Sequence, residues 1–385
     1  MQTATYTCVV YKTVTGRIVS DFPLADQPQW TRQLNTSGSI KAKVRSGDTG
    51  VPSIDSLYGI CVPKMFSLAV LWGDYVCQAG PIQPYDVDDN TQAGILELGT
   101  GSLWTLLEGR LLHDPGYDPQ TVGLNNPAVD VNVTDSLPNI ALTLVRNAAN
   151  MTARSGSSLP LDIPANSGTG TNVRSYPGYD MVSVGQRLHE LTQVEDGPDV
   201  DFEPYLTSDS TGQYIRHRMR VGRVPDGYLV QPGIPPRWDY GSTLRSVKIS
   251  GDGSDIASDT WVKGSGDKYS MLYGHAYSST LTDAGWPLQD YIDTTHTSAT
   301  NQDTLDGWAA ADLALHGQAT EQWSAYVDAN RNPALGAYSL GTFGTYNIQT
   351  HPWIRPGQYS VRILGLGNGR AAGEVAHILQ GRGPF

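Results

Sequence analysis

VSVGQRLHELTQVEDGPDVDFEPYL, residues 182–206, passes from helix to strand with almost no linker. Ser183 and Gln186 have the spacing of a capping box, in which a hydroxyl and an amide satisfy the free N–H groups of a helix's first turn. Val184, Leu188 and Leu191 then recur at helical spacing on one face. Gly197 and Pro198 should end the helix, the glycine by taking a left-handed conformation and the proline by being unable to continue it. Beyond Asp199 the period falls to two, with Val200 and Phe202 alternating with Asp201 and Glu203, the mark of a half-buried strand.

Strand signals dominate the sequence before this junction. Ile40, Ala42 and Val44 alternate with Lys41, Lys43 and Arg45. Residues 68–72 and 75–79 flank Gly73-Asp74, and a glycine at the first turn position favours a tight hairpin. Residues 6–14 read as a further strand. Short strands at this spacing point to a barrel or sandwich. Residues 113–133 read as loop, and 155–175 as a polar Gly/Ser/Pro loop. Between them Leu137, Ile140, Ala141, Leu144, Val145 and Ala148 follow helical spacing, with Asp135 or Ser136 as cap and Pro138 in the first turn.

After the junction strands return at 213–224, 242–250 and 260–263. Residues 251–300 read mainly as loops. Leu305, Trp308, Ala309 and Leu313 give a helix over 304–316, ended by Gly317. Trp323, Ala325 and Val327 alternate with polar residues, as do Tyr359, Val361 and Ile363 after the Pro356-Gly357 turn. The expected fold class is mainly β with helical insertions, a β-rich α+β chain. The expected domains are 1–112, a helical and loop insertion at 113–206, and 207–385. The last includes a polar insertion at about 251–303 and the helix, with some strands able to complete the first domain.

The whole chain has 385 residues, enough for two or three domains. Only 17% of residues are charged while Gly (42) and Pro (24) are abundant, which suits short strands joined by many turns. A formal charge of −12 argues against a phosphate-binding surface but not against a channel that DNA crosses without adhering. Cys8, Cys61 and Cys77 are odd in number and form no Cys-x-x-Cys pair, so they read as small buried hydrophobes and not as disulfides or zinc ligands. No signal peptide is visible, and the most apolar segment, 60–72, is too short to span a bilayer and is broken by Pro63 and Lys64.

Catalytic patterns are mostly absent. There is no Gly-x-Ser-x-Gly elbow and no Walker A loop. Gly365, Gly367 and Gly369 have the wrong spacing for a dinucleotide fingerprint. His113, His189, His217, His275, His296, His316, His351 and His377 are scattered, none at the i, i+4 spacing of a helical zinc site, and read as surface or interface residues. Asp199, Asp201 and Glu203 would lie on one strand face about 7 Å apart. That spacing suits a glycosidase carboxylate pair or calcium, but the row reads more simply as a solvated or subunit-facing side. Asp252, Ser254 and Asp255 miss the EF-hand pattern and read as a polar turn. Asn35, Asn132 and Asn150 head sequons expected by chance. The Trp and Tyr residues read mainly as core and strand-pair packing, though such rings also serve at partner surfaces and stack on sugars. No catalytic, cofactor-binding or metal-binding residue is assigned.

The 182–206 segment resembles the helix-to-strand signature of hub-type minor tail proteins from siphophages of actinobacteria. Trp30-Thr31-Arg32-Gln33-Leu34-Asn35, leading into the strand at Ile40, is similar as well. So is His351-Pro352-Trp353-Ile354-Arg355-Pro356-Gly357, leading into the strand at Tyr359. The resemblance covers most of the chain and is weakest over 251–303. It implies the fold of the baseplate hub of contractile-tailed phages, with two tail-tube-like β-barrel domains and helical and loop insertions between them. It also implies a structural virion protein at the tail tip, not an enzyme. Such a homotrimer forms a ring adapting a sixfold tube to a threefold tip, with no catalytic residues to carry over. Its partners would be distal tail or tail-tube proteins above and tip or fibre proteins below. The tape-measure protein and DNA would pass through the lumen without specific binding, and no stable membrane association is expected. The competing readings are a cell-wall glycan hydrolase using Asp199, Asp201 or Glu203, a receptor-binding module stacking sugars, and a distal tail adaptor present in six copies.

Overall fold

The structure is a computed structural model, and it describes residues 5–381 except 46–47, 49, 52, 89–93, 150–155, 195, 223–226, 230–232 and 318–319. Asn150, Glu195 and the end of the strand expected over 213–224 lie outside the described residues. The chain is mainly β and divides into two compact units. The first comprises 1–246 and 325–378, the second 247–324 and 379–385. The strands Leu244–Asp252 and Thr320–Asp328 carry the chain across that division.

The large sheet of the first unit runs in the order Glu374–Leu379, Gly357–Asn368, Gln29–Gln33, Ser39–Arg45, Ile95–Thr100, Tyr75–Asp88, Phe66–Trp72, Tyr6–Lys12 and Ile18–Phe22. Among the described residues no strand pairing closes it into a ring. Ser39–Arg45 keeps the alternation of its sequence, with Ile40, Ala42 and Val44 buried. Phe66–Trp72 is buried on both faces, which accounts for its unbroken apolar run. It turns into Tyr75–Asp88 at Gly73-Asp74, with Gly73 at φ +59°. Cys8, Cys61 and Cys77 are buried free thiols.

Helices Trp104–Glu108, Leu137–Ala149 and Val184–Thr192 share one hydrophobic core with the strand Val200–Asp209. The Ser183 hydroxyl accepts from the Gln186 N–H, but the Gln186 side chain turns to Glu190, so only half of the capping box forms. The helix end departs from expectation. Asp196, not Gly197, takes the left-handed conformation, at φ +55°. A Cβ on Gly197 would lie 2.7–2.9 Å from the carbonyl oxygens of Leu191, Thr192 and Val194. The glycine is needed because the returning chain lies against the helix's last carbonyls, not for its φ.

The stretches expected as loops contain strands. Val131–Asp135 pairs with Asn172–Tyr176. In the second unit Asp259–Lys263 pairs with both Tyr273–Tyr277 and Asp290–Asp293. The helix there starts earlier than expected, at Gln302, capped by the Asn301 side chain. It packs Leu305 and Ala309 on Val262. These strands are short, and Val173, Tyr273, Tyr277 and Ile292 on them are exposed, so no clean apolar-in, polar-out alternation marks them. The Gly365–Gly369 run is strand and turn, with Gly365 and Gly367 paired to Gln33 and Thr31. Among the described residues no helix is long and apolar enough to cross a membrane.

Candidate functional site

Asp199, Asp201 and Glu203 were the chain's sharpest catalytic candidates, and the fold places the first two inside the protein. Val200–Asp209 pairs antiparallel with Gly212–Val221, setting Asp201 opposite Arg220 and Glu203 opposite Arg218. Asp209 makes the turn by accepting from the Thr211 N–H and hydroxyl, each at 2.7 Å.

Asp201 is 3% exposed. Arg32 donates to both of its oxygens, Nε to Oδ1 at 3.1 Å and a terminal nitrogen to Oδ2 at 2.5 Å. Arg220 adds a bond to Oδ2 at 3.2 Å and another to the Leu340 carbonyl at 3.2 Å. Arg32 lies 3.7 Å from Glu203 and donates to the Tyr75 hydroxyl at 3.4 Å. Burial alone would lower the Arg32 pKa. Asp201, with Tyr75 and Glu203 beside it, holds the guanidinium above its ordinary value, so it stays charged.

Asp199 is paired as closely. It accepts from Arg362 and, at 2.8 Å, from the Leu229 N–H. Arg362 also donates to the Gly341 carbonyl and lies 4.3 Å over the Tyr228 ring. Asn35, at φ +61°, exchanges bonds with Val200. Its Oδ1 accepts from the Val200 N–H at 2.7 Å, and its own N–H donates to the Val200 carbonyl at 3.0 Å.

The solvated or subunit-facing reading of this row is therefore corrected, because its two inner carboxylates are buried and neutralised. The arrangement can do little acid–base chemistry, since a general acid or base needs a lone pair or proton free to reach a substrate. Its work is to join. Arg32 and Asn35 come from one of the three similar segments and Asp199–Asp201 from another. Arg362 lies on the strand that the third leads into. The first two segments and this strand meet at this cluster. The Arg216-x-Arg218-x-Arg220 alternation opposite the acidic row was a legible cue that sequence reasoning missed.

Three of the eight histidines differ from expectation. His113, His217 and His377 are buried. The His377 ring bonds the hydroxyls of Tyr346 and Tyr338, both at 2.8 Å, and packs edge-on against Trp238. Burial pushes His217 down to about 4 and His377 to about 3, so both are neutral at physiological pH. Asp252 accepts from the Ser254 N–H and hydroxyl, closing a polar turn. Among the described residues no group of three or more His, Cys, Asp or Glu is arranged to hold a metal ion.

On the surface of the first unit an apolar groove of about 380 Å³ lies between helix Ile54–Ile60 and the strands Tyr75–Asp88 and Ile95–Thr100. Tyr58, Val62, Tyr85 and Val87 line it and are 41–58% exposed.

No family profile matches this sequence, and no curated protein matches it. Solved structures do. A tail protein from Neisseria meningitidis MC58 superposes with a TM-score of 0.52 at 13% identity, covering 98% of this chain and 97% of its own. The 43 kDa tail protein of prophage MuSo2 from Shewanella oneidensis gives 0.55 at 9% identity, covering 97% of this chain and 98% of its own. The chain has the fold of these tail proteins, end to end.

Proposed function

We infer that this chain is a structural component of a phage tail, placed at the tail tip as a homotrimeric hub. The observation that carries the reading is the shared fold with two tail proteins over nearly the whole of each chain. Tube-like β-barrel regions at 1–112 and 207–385 bracket the helical insertion at 113–206, and three copies close a ring that adapts a sixfold tube to a threefold tip. Distal tail or tail-tube proteins bind above and tip or fibre proteins below. The tape-measure protein and DNA pass through an acidic lumen, which repels phosphate and leaves DNA unbound.

Two features of the chain support this reading over an enzyme. The carboxylates best spaced for glycan hydrolysis are occupied by arginines. The exposed apolar groove has the character of a surface that association covers. Light scattering on the purified chain, with zymography on host cell walls, tests it. Three copies per particle and no clearing are expected. A clearing zone on the host cell walls would replace it with the hydrolase.

A further inference from the structure

The second unit carries most of the chain's charge. Residues 247–324 and 379–385 contain 11 Asp and Glu against 4 Lys and Arg, a formal −7 of the total −12. Its three-stranded sheet has one face on the helix Gln302–His316, where Thr260 and Val262 are buried. The other face is uncovered within the unit. Trp261 lies at its centre, stacked on His275 at 4.0 Å and 5.6 Å from Tyr273. Tyr273 and Tyr277 are about half exposed. Two carboxylates edge the rings, and Lys263, in register with Tyr273, stands at one end of the row. Asp290 accepts from the indole N–H at 3.4 Å, and Asp259 bonds His275 at 2.6 Å.

Aromatic faces attract cations through their quadrupole, and carboxylates beside them add direct attraction. Tyr273, His275 and Tyr277 stand at alternate positions of one strand, a row about 13 Å long. A row presents several contact points in line, whereas a single ammonium needs rings converging around it. We propose that this face binds a basic polypeptide segment, laid along the Tyr273–Tyr277 strand with Lys or Arg side chains over the rings and paired to Asp259 and Asp290. The partner is defined by charge complementarity and by the length of the row. The assignment rests on the second unit alone and stands whether or not the chain forms a ring.

The test uses the full-length chain and a fluorescein-labelled peptide of alternating Lys and Ala read by anisotropy. The peptide should bind, and its Glu-Ala counterpart should not. Tyr273→Leu with Tyr277→Leu preserves every charge and replaces two half-exposed rings, so folding is retained. It should weaken binding at least about tenfold. Asp290→Asn should also weaken it, while Asp303→Asn, on the helix, should not. The proposal is overturned if the tyrosine variant binds as well as wild type, or if Asp303→Asn and Asp290→Asn lose equally, since net charge alone would then suffice. It is equally overturned if tetramethylammonium displaces the peptide at submillimolar concentration. Binding of a chitin oligosaccharide without the peptide would assign the face to sugars instead.

Discussion

Replacing Asp201 with Asn leaves the Arg32 guanidinium in a site 2% exposed, without the carboxylate that takes two of its donors. Removing one partner of a buried pair costs about 3–5 kcal/mol, mostly the penalty of the stranded charge. Arg220 is the smaller loser, because its side chain is 16% exposed and retains the Leu340 carbonyl. Replacing both partners with apolar residues, Arg32→Met with Asp201→Leu, strands no charge at that pair and should cost far less than the two single changes summed. The chain has two compact units, so one global unfolding energy is ill-defined. The readout is therefore hydrogen exchange at the amides of Val200–Asp209. Their protection should fall roughly 200- to 5000-fold in Asp201→Asn and Arg32→Met, and much less in the double variant. Additive losses, or losses under threefold in the single variants, would refute the view that this cluster bolts the strand in place.

Acid should weaken the first unit through its buried imidazoles. His217 and His377 have folded pKa values of about 4 and 3, below an unfolded value near 6.5, so the unfolded chain binds more protons between those limits. Their stability is full above about pH 6.5 and is lost as pH falls. At pH 5 the loss is about 2 kcal/mol for each group, and His217→Leu should remove close to half of the combined loss, as read from the protection of the first unit's slowest-exchanging amides at pH 7 and 5, corrected for intrinsic exchange. Gly197→Ala should cost about 1–3 kcal/mol, because its Cβ meets three carbonyl oxygens; a change below 0.5 kcal/mol, by exchange in the preceding helix, would contradict the close approach. Tyr58→Asp with Val87→Asp puts charge in the apolar groove and should reduce self-association without changing the circular dichroism. Unchanged association would remove the groove from the interface.

The parts of the fold legible in the sequence are those with one strong period. Ser39–Arg45 alternates in its letters and in its burial, and Leu137–Ala149 repeats at helical spacing around a buried face. Strands such as Asn172–Tyr176 and Asp290–Asp293 are set by what pairs with them, so their letters look like loop. The acidic row was visible as a row, but its partners lie far away in sequence. Arg32 is 169 residues from Asp201, and Arg362 is 163 from Asp199. Only the nearby Arg220 was within reach of a hairpin argument. The burial of His377 depends on Tyr338, Tyr346 and Trp238, brought together by the sheet from three segments with no shared pattern.

The most direct test is an image reconstruction of the intact virion tail with this chain located in it. The account predicts three copies at the tip, in a ring whose channel wall is acidic and whose axis continues the tube. A single copy, six copies away from the tip, or a channel wall lined by Lys and Arg would contradict it.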